Sequence, residues 1–220
     1  MDLILASASA ARAKLLRGMG IPFRVVVSRV DETDRPGETP DGKAARLARL
    51  KAETVAGRLR TGIVLGADSL VVLPLDPPDR NDPIRDPGRG TLDPEPGTRD
   101  PVRILGKPRD PAEAASMLRL QMGRDTEVIT AVCMIDASSG RRREGVDRSR
   151  VRLNPMTDKE IEQYAASPRV LTSAGGYLIE DEKDPYVTLV SGELGTVLGL
   201  PVAMIRRLLL EMGGLTPPPA

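Results

Sequence analysis

Apolar positions fall into two patterns, continuous runs and stripes with helical spacing, which together occupy most of the chain. The runs predict strands, because an apolar run bounded by turn residues is typical of a buried strand. They cover residues 3–6, 23–27, 63–73, 127–135, 177–180 and 186–190. A further strand is predicted over residues 144–153, paired with residues 127–135 across the turn Ser138-Ser139-Gly140. The stripes predict helices over residues 10–19, 40–60, 111–122, 158–166 and 201–212. Strands and helices mix without strict alternation, so we expect an α/β fold, a mixed β-sheet with flanking helices.

Capping residues support three of the predicted helix starts. Thr39-Pro40 and Asp110-Pro111 each place a capping side chain before a proline, a residue that suits the first helical turn. Thr157 with Glu160 has the spacing of a capping box, in which each residue satisfies a backbone N–H group near the other. We therefore expect helices to begin directly after Thr39, Asp110 and Thr157.

Residues 74–103 interrupt the pattern of runs and stripes. They hold eight of the chain's 20 prolines with many Asp, Gly and Arg residues, and they offer almost nothing to bury. Such a composition does not compensate the entropy lost on ordering, so we interpret the stretch as a loosely ordered insertion. It could also serve as a protein-interaction module. We expect residues 1–215 to form a single domain with this insertion, followed by a mobile, proline-rich tail over residues 216–220.

Composition and charge exclude several partners. The chain has no Trp, one Phe and three Tyr among 40% hydrophobic residues, so its core must be aliphatic. The aromatic platforms that stack single-stranded nucleic acid are therefore poorly supported. The formal net charge of +1, from 32 basic and 31 acidic residues, gives no bulk attraction to DNA or to a membrane surface. We expect no nucleic acid and no membrane as a partner.

Cysteine and histidine usage narrow the chemistry further. The single cysteine, Cys133, excludes an intrachain disulfide, and no apolar run reaches the roughly 18 residues typical of a membrane span. With no signal-peptide layout at the N-terminus, we expect a cytoplasmic protein. The chain also contains no histidine. A general base must therefore be a carboxylate, a lysine, a tyrosine or a metal-bound hydroxide.

Two charged residues stand where the pattern predicts burial. Asp68 lies inside the apolar run of residues 63–73, and Lys51 shares a helical stripe with Leu47 and Val55. A buried carboxylate is costly unless it is paired or metal-bound, so Asp68 is a candidate base or metal ligand. It could equally end one strand and cap the next turn. Lys51 could meet a phosphate, or its stem could simply cover apolar surface.

A second candidate site follows the first predicted strand, where Ser7 and Ser9 precede a helix. The free N–H groups and the positive end of the helix dipole at such a turn favour an anion. Arg12 could reach the same phosphate. Ser9 could also act only as a helix cap.

Three weaker signals complete the set of candidates. Asp31-Glu32 could hold a divalent cation together with Asp68, or it could form a solvated acidic turn. Gly106-Lys107-Pro108 presents Lys107 in a rigid turn, although the spacing is not that of a phosphate-binding Walker loop. Three alternating arginines give a predicted strand one basic face, which we interpret as solvated or as a surface for a partner: Arg148, Arg150 and Arg152.

Taken in order, these segments resemble the Maf family along nearly the whole chain outside residues 74–103. Each matching piece is short, but they occur in the family's order and spacing. Those before the insertion are Leu3-Ile4-Leu5-Ala6-Ser7 with Ser9 and Arg12, Val30-Asp31-Glu32, Lys51-Ala52 and Gly66-Ala67-Asp68-Ser69. Those after it are Leu105-Gly106-Lys107-Pro108, Glu113-Ala114-Ala115-Ser116-Met117-Leu118, Gly123-Arg124 with Val128-Ile129-Thr130, Ala174-Gly175-Gly176-Tyr177 and Gly199-Leu200-Pro201.

The resemblance implies a fold like that of the inosine triphosphate pyrophosphatases, with two lobes around a cleft, and a homodimer. It implies hydrolysis of a nucleoside triphosphate, often a modified one, to the monophosphate and pyrophosphate with a divalent cation, Mg²⁺ or Mn²⁺. On that pattern Asp68 activates the attacking water or binds the metal, and Glu32 helps to hold the metal. The residues that would neutralise the triphosphate are Ser7, Ser9, Arg12, Lys51 and Lys107.

The chain also departs from the family pattern. Ala11 stands where the family usually has a second phosphate-binding arginine, and Gly123-Arg124-Asp125-Thr126 lacks the usual histidine. Glu180 replaces a glutamine in the base-recognition segment, and a carboxylate only accepts hydrogen bonds, so the preferred base should differ. Gly192-Glu193-Leu194 replaces a usual Gly-Asp-Tyr. These changes leave an alternative open, a catalytically weak nucleotide-binding regulator linked to cell division.

Overall fold

The computed structural model describes residues 2–75, 102–179 and 184–213. Within these ranges the strands are β1 (Leu3–Leu5), β2 (Phe23–Val25), β3 (Ile63–Pro74), β4 (Val102–Leu105), β5 (Asp125–Asp136), β6 (Arg142–Leu153) and β7 (Val187–Ser191). The α-helices are α1 (Ala10–Gly18), α2 (Pro40–Ala56), α3 (Pro111–Gln121), α4 (Asp158–Ala165), α5 (Leu194–Val197) and α6 (Val202–Glu211). The strands form one mixed sheet of order β2-β1-β3-β5-β6-β7, with β4 paired to β3. The predicted α/β class is confirmed.

The chain divides into two compact units. The first comprises Met1–Ser69, Ile129–Arg148 and Glu193–Ala220, and the second comprises Leu70–Val128 and Ser149–Gly192. Strands β3, β5 and β6 each contribute residues to both units.

The first unit contains parallel pairs of β1 with β2 and of β1 with β3. Its core is aliphatic, as the composition predicts, and it combines residues of the sheet with residues of α1 and α6. The fully buried members include Leu5, Leu16, Leu65, Met134 and Ile205. Because side chains alternate between the two faces of a strand, Leu65 and Ala67 of β3 face this core, while Gly66 and Asp68 face the other way.

Helix α2 covers that other face of the first unit. A Cβ atom added at Gly66 would lie 2.2 Å from the carbonyl oxygen of Ala48 and 2.7 Å from the amide nitrogen of Ala52. Backbone atoms of α2 therefore approach β3 closely, which is possible only because residue 66 has no side chain. The buried stripe of α2 includes Leu47 and Val55, as predicted.

In the second unit β3 pairs with β4 and β6 pairs with β7, both antiparallel. Helix α3 packs against α4 and against two short 3₁₀ turns, Val170–Thr172 and Ala174–Gly176. Leu118 of α3 and Ile161 of α4 are among its fully buried side chains.

Most element predictions are confirmed. Helices α2, α3 and α4 begin directly after Thr39, Asp110 and Thr157, each of which accepts a capping hydrogen bond, and the capping box of Thr157 with Glu160 is complete. The predicted basic strand face is also present, since Arg148, Arg150 and Arg152 are exposed on β6.

Two predictions need correction. No strand occurs at residues 177–179, because these residues pair with no described strand, although the backbone of Tyr177 is extended. The two residues before it, Gly175 and Gly176, form a turn with φ values of 76° and 70°. The predicted insertion is also too long at both ends: Pro74 ends β3, and Val102 and Arg103 belong to β4, which adds to β3 in the register Pro74↔Val102. Residues 76–101, the rest of the predicted insertion, and the predicted tail lie outside the described residues.

Candidate active site

A lysine and two carboxylates form the charged centre of the first unit. The ammonium of Lys51 donates a hydrogen bond of 2.6 Å to Asp68 Oδ1 and lies 2.7 Å from Glu32 Oε1. The Lys51 and Asp68 side chains are only 10% and 9% exposed, whereas that of Glu32 is 57% exposed. One buried cation therefore serves two carboxylates, one inside the protein and one at its surface.

This geometry decides between the alternatives that the sequence left open. Asp68 lies in the middle of β3 and does not end a strand or cap a turn. Lys51 does not merely cover apolar surface with its stem, because its ammonium is the ion-pair partner of that buried aspartate. Gly66, two residues before Asp68 on the same face of β3, admits the backbone of α2 and so brings the two side chains within contact.

Burial raises the pKa of Asp68, and the charge and hydrogen bond of Lys51 oppose that rise. Arg12 opposes it further, whereas Glu32 adds to it through repulsion between the two carboxylates. A carboxylate with a raised pKa is a stronger base than a solvated aspartate, provided that it remains ionised at the working pH. The environment of Asp68 therefore suits the acceptance of a proton from water.

Arg12 binds the protein itself through most of its donors. Its guanidinium donates to the carbonyl oxygens of Gly199 and Ala67, at 3.0 and 2.9 Å, and to the hydroxyls of Ser69 and Ser7, at 3.1 and 3.3 Å. An arginine has five N–H donors, so this arrangement leaves few of them for a ligand. Burial lowers the pKa of Arg12, but arginine stays charged in proteins, and its charge acts on Asp68.

Hydrogen bonds connect Arg12 through Ser69 to Thr130, and their directions follow because each hydroxyl group has a single proton to donate. Thr130 Oγ1 lies 2.7 Å from the carbonyl oxygen of Thr196, which can only accept, so the single hydroxyl proton of Thr130 points there. Ser69, at 2.9 Å, must then donate to Thr130, and Arg12 donates to Ser69. This chain of donors fixes the position of the guanidinium. Asp68 and its neighbour Ser69 thus serve opposite faces of β3.

Ser7 and Ser9 occupy the turn between β1 and α1. Ser7 Oγ accepts hydrogen bonds from Arg12 and from the N–H of Ser9 at 3.2 Å. Ser9 is the N-cap of α1, and its hydroxyl accepts from the Arg12 N–H at 3.4 Å. The capping interpretation of Ser9 is therefore confirmed, and binding of a phosphate at this helix end stays a prediction.

Comparison with known proteins identifies the family. The family model described as Maf-like protein matches residues 2–212. The chain belongs to the Maf-like protein family.

Curated relatives of this Maf-like chain extend over nearly all of it. It is 36% identical to the dTTP/UTP pyrophosphatase of Syntrophus aciditrophicus (strain SB), over 97% of this chain and 91% of that protein. It is 35% identical to the nucleoside triphosphate pyrophosphatase of Salinispora tropica, over 96% of this chain and 84% of that protein. Among solved structures, a HAM1 protein from Coxiella burnetii matches with a TM-score of 0.47 and 13% identity, covering 96% of this chain and 99% of that chain.

Two predicted site residues of the Maf-like chain remain, Lys107 and Glu180. Lys107 belongs to the second unit, where it is exposed in the turn between β4 and α3. Glu180 lies outside the described residues. Glu193, a departure from the family pattern, accepts hydrogen bonds from the N–H groups of Val202 and Ala203 at 2.7 and 3.4 Å and so caps α6.

Sequence reasoning missed two groups of polar residues that the structure brings to this site. Ser69 and Thr130 support Arg12, and Arg46 binds the segment that carries Glu32. The sequence contains a signal for Thr130, because it is a polar residue inside the apolar run of residues 127–135. The structure confirms that this residue is fully buried. Arg46 had none, since a cation on a helix is most often solvated.

The described residues contain no group of three or more Asp, Glu, Cys or His side chains that could hold a metal ion. Glu32 and Asp68 nevertheless approach the same atom, Lys51 Nζ, within 2.7 Å. Mg²⁺ is commonly held by one or two carboxylates together with substrate phosphates and water. The pair therefore fits a cation that arrives with a phosphate ligand.

No helix of the described ranges combines the length and the apolar character needed to cross a bilayer.

Proposed function

We propose that this chain hydrolyses a nucleoside triphosphate to the nucleoside monophosphate and pyrophosphate. The observation that carries the proposal is the buried Asp68 carboxylate held 2.6 Å from Lys51 in a chain of the Maf-like family. Its curated relatives are named as pyrophosphatases of nucleoside triphosphates, including dTTP and UTP. The alternative of a weak nucleotide-binding regulator is not favoured, because those relatives are named as enzymes.

In the proposed reaction a water molecule attacks the α-phosphorus and transfers a proton to Asp68. The bond between the α-phosphorus and the oxygen that bridges to the β-phosphorus breaks, and pyrophosphate leaves with the bridging oxygen. Asp68 fits the role of base because burial raises its pKa and because the chain has no histidine to take that role. Lys51 would offset the negative charge that gathers as the triphosphate enters.

A divalent cation, Mg²⁺ or Mn²⁺, would bring positive charge to the phosphate oxygens. Glu32 and Asp68 are the residues that would hold it, and Lys51 would exchange part of its contact with them for contact with the triphosphate. Ser7, Ser9 and Lys107 would complete the neutralisation of the phosphates, as the family resemblance implies. Arg12 would contribute mainly its charge, because the protein already binds most of its donors. Because only two carboxylates are available among the described residues, we expect the cation to bind tightly only together with nucleotide.

A nucleotide panel tests the function. We expect pyrophosphate release from dTTP or UTP, or from a modified nucleotide if Glu180 changes the preferred base. Asp68→Asn keeps the size of the side chain and removes the proton acceptor, so the rate should fall at least about 100-fold, in line with general base catalysis. Release of orthophosphate, or a rate unchanged in Asp68→Asn, would refute the proposed cleavage or the proposed base.

Three further properties belong to the same proposal: the oligomeric state and the link to cell division follow from the family resemblance, and the compartment follows from the sequence pattern. We propose that the protein is a homodimer and acts in the cytoplasm on the nucleotide pool. Sedimentation of the full chain would test the dimer, and fractionation of cells would test the compartment. A link to cell division stays a prediction, which a deletion strain examined for septum placement would test.

A further inference from the structure

The segment between β2 and α2 carries Glu32 without regular secondary structure. Residues 26–39 contain neither helix nor strand, and the Glu32 side chain is largely exposed. A carboxylate on such a segment has a defined position only if other contacts hold the backbone beside it. A cation ligand needs that definition, because its affinity depends on the groups that orient it.

Arg46 of α2 supplies contacts of this kind. Its Nε and Nη2 atoms each lie 2.7 Å from a carboxylate oxygen of Glu38, and Nη2 also donates to the carbonyl oxygen of Thr33 at 3.3 Å. The Arg46 and Glu38 side chains are 16% and 15% exposed, so this two-pronged pair is well shielded from solvent. Thr33 directly follows Glu32, so Arg46 binds the backbone one residue after Glu32.

Other contacts of the segment agree with this anchoring. Lys43, three residues earlier on α2, pairs with Asp34, and the N–H and hydroxyl of Thr33 donate to Asp31 at 2.9 and 2.5 Å. The hydrogen bond from Arg46 lowers the pKa of Glu38 and so favours the ionised carboxylate that this pair requires.

We propose that Arg46 is a positioning residue, which holds residues 31–38 on α2 so that the Glu32 carboxylate faces Lys51 and Asp68. This inference rests on the proposed function in one respect, namely that Glu32 binds the divalent cation. An arginine suits this task because its planar fork binds a carboxylate in two places, which a lysine cannot do.

Arg49 provides a matched control on the same helix. It also binds a glutamate in two places, Glu144 at 2.7 and 3.0 Å, but Glu144 belongs to β6 and not to the segment that carries Glu32. Arg46→Gln and Arg49→Gln therefore each remove one two-pronged ion pair from α2. Only the first removes an anchor of residues 31–38.

Two measurements on the full chain test the proposal. Hydrogen–deuterium exchange without nucleotide should become faster within residues 28–38 in Arg46→Gln and stay unchanged there in Arg49→Gln. The Mg²⁺ concentration for half-maximal pyrophosphate release at saturating dTTP or UTP should rise about 10-fold in Arg46→Gln, the lower end of the loss typical for residues that orient metal ligands. Arg46→Lys should fall between wild type and Arg46→Gln in both measurements.

Exchange in residues 28–38 that keeps its wild-type rate in Arg46→Gln would overturn the proposal, as would an equal increase in Arg49→Gln. If Arg46→Gln does not fold, the same comparison is made with Arg46→Lys, where a local increase supports the proposal and no increase overturns it. Failure of the wild-type chain to release pyrophosphate would refute the proposed function alone, because the exchange measurement needs no substrate.

Discussion

A single methyl group added at residue 66 should disturb the contact between Lys51 and Asp68 by pushing α2 away from β3. In Gly66→Ala the new Cβ would lie 2.2 Å from the Ala48 carbonyl oxygen, and ordinary contact begins at 3.4 Å, so α2 must withdraw by about 1.2 Å or β3 must bend. Both atoms at the closest contacts belong to the backbone, which cannot rotate away as a side chain can. Overpacking of this kind costs about 1–3 kcal/mol.

The same displacement acts on the chemistry, because α2 carries Lys51 and β3 carries Asp68. A misplacement of about 1 Å can lower a rate about 100-fold, so we expect kcat/KM for pyrophosphate release to fall by that order. Urea unfolding should show a free energy of unfolding lower by about 2 kcal/mol, which for a chain of this size lowers Tm by roughly 4–8 °C.

Gly18→Ala is the control for this experiment. Gly18 lies in the last turn of α1, and an added Cβ there would have no heavy atom within 4 Å. We expect unchanged activity and a stability equal to or about 0.5–1 kcal/mol above wild type, since alanine suits a helix better than glycine. Wild-type stability and activity in Gly66→Ala would refute the claim that close backbone approach sets the pair. Lost stability with a wild-type rate would show that the approach supports the fold but not the chemistry.

Two other substitutions probe the charged centre and its support. In Lys51→Met the pKa of Asp68 should rise further, because Lys51 is the largest influence that lowers it. Since the base acts only when ionised, the acid side of the profile of kcat/KM against pH should move to higher pH. An unmoved profile would show that Lys51 does not influence the catalytic base. In Thr130→Val the Ser69 hydroxyl loses the acceptor of its proton, whereas the Thr196 carbonyl oxygen keeps a backbone donor, the N–H of Gly199 at 3.1 Å. Urea unfolding should show a free energy of unfolding lower by about 1–3 kcal/mol, and a neutral result would contradict the inferred chain of donors.

The sequence was sufficient to predict each member of the central ion pair but not the pair itself. Asp68 and Lys51 are charged residues at positions where period-2 and helical patterns predict burial, and both are buried. Their contact depends on where α2 lies on β3, which Gly66 permits. That is a relation between two elements, and no local pattern contains it.

Arg12 shows the opposite limit of sequence reasoning. Its place after Ser7 and Ser9 favours an anion site, yet four acceptors within the protein already engage its guanidinium. Two of them are backbone carbonyls, at Ala67 and Gly199, which carry no signal in a sequence because every residue has one. Competition for donors between protein and ligand therefore cannot be foreseen from residue types and spacing.

Because β3 pairs with β4, the position of Asp68 on β3 does not depend on how many residues connect these two strands. The pairing from Val71↔Leu105 to Pro74↔Val102 fixes how the two strands align, whatever number of residues connects them. The closure free energy of a connection grows only with the logarithm of its length, by about 0.6 kcal/mol for each doubling. An epitope or a fluorescent domain could therefore be added after Leu75 with little effect on the alignment of β3, and hence on Asp68, six residues before that strand ends.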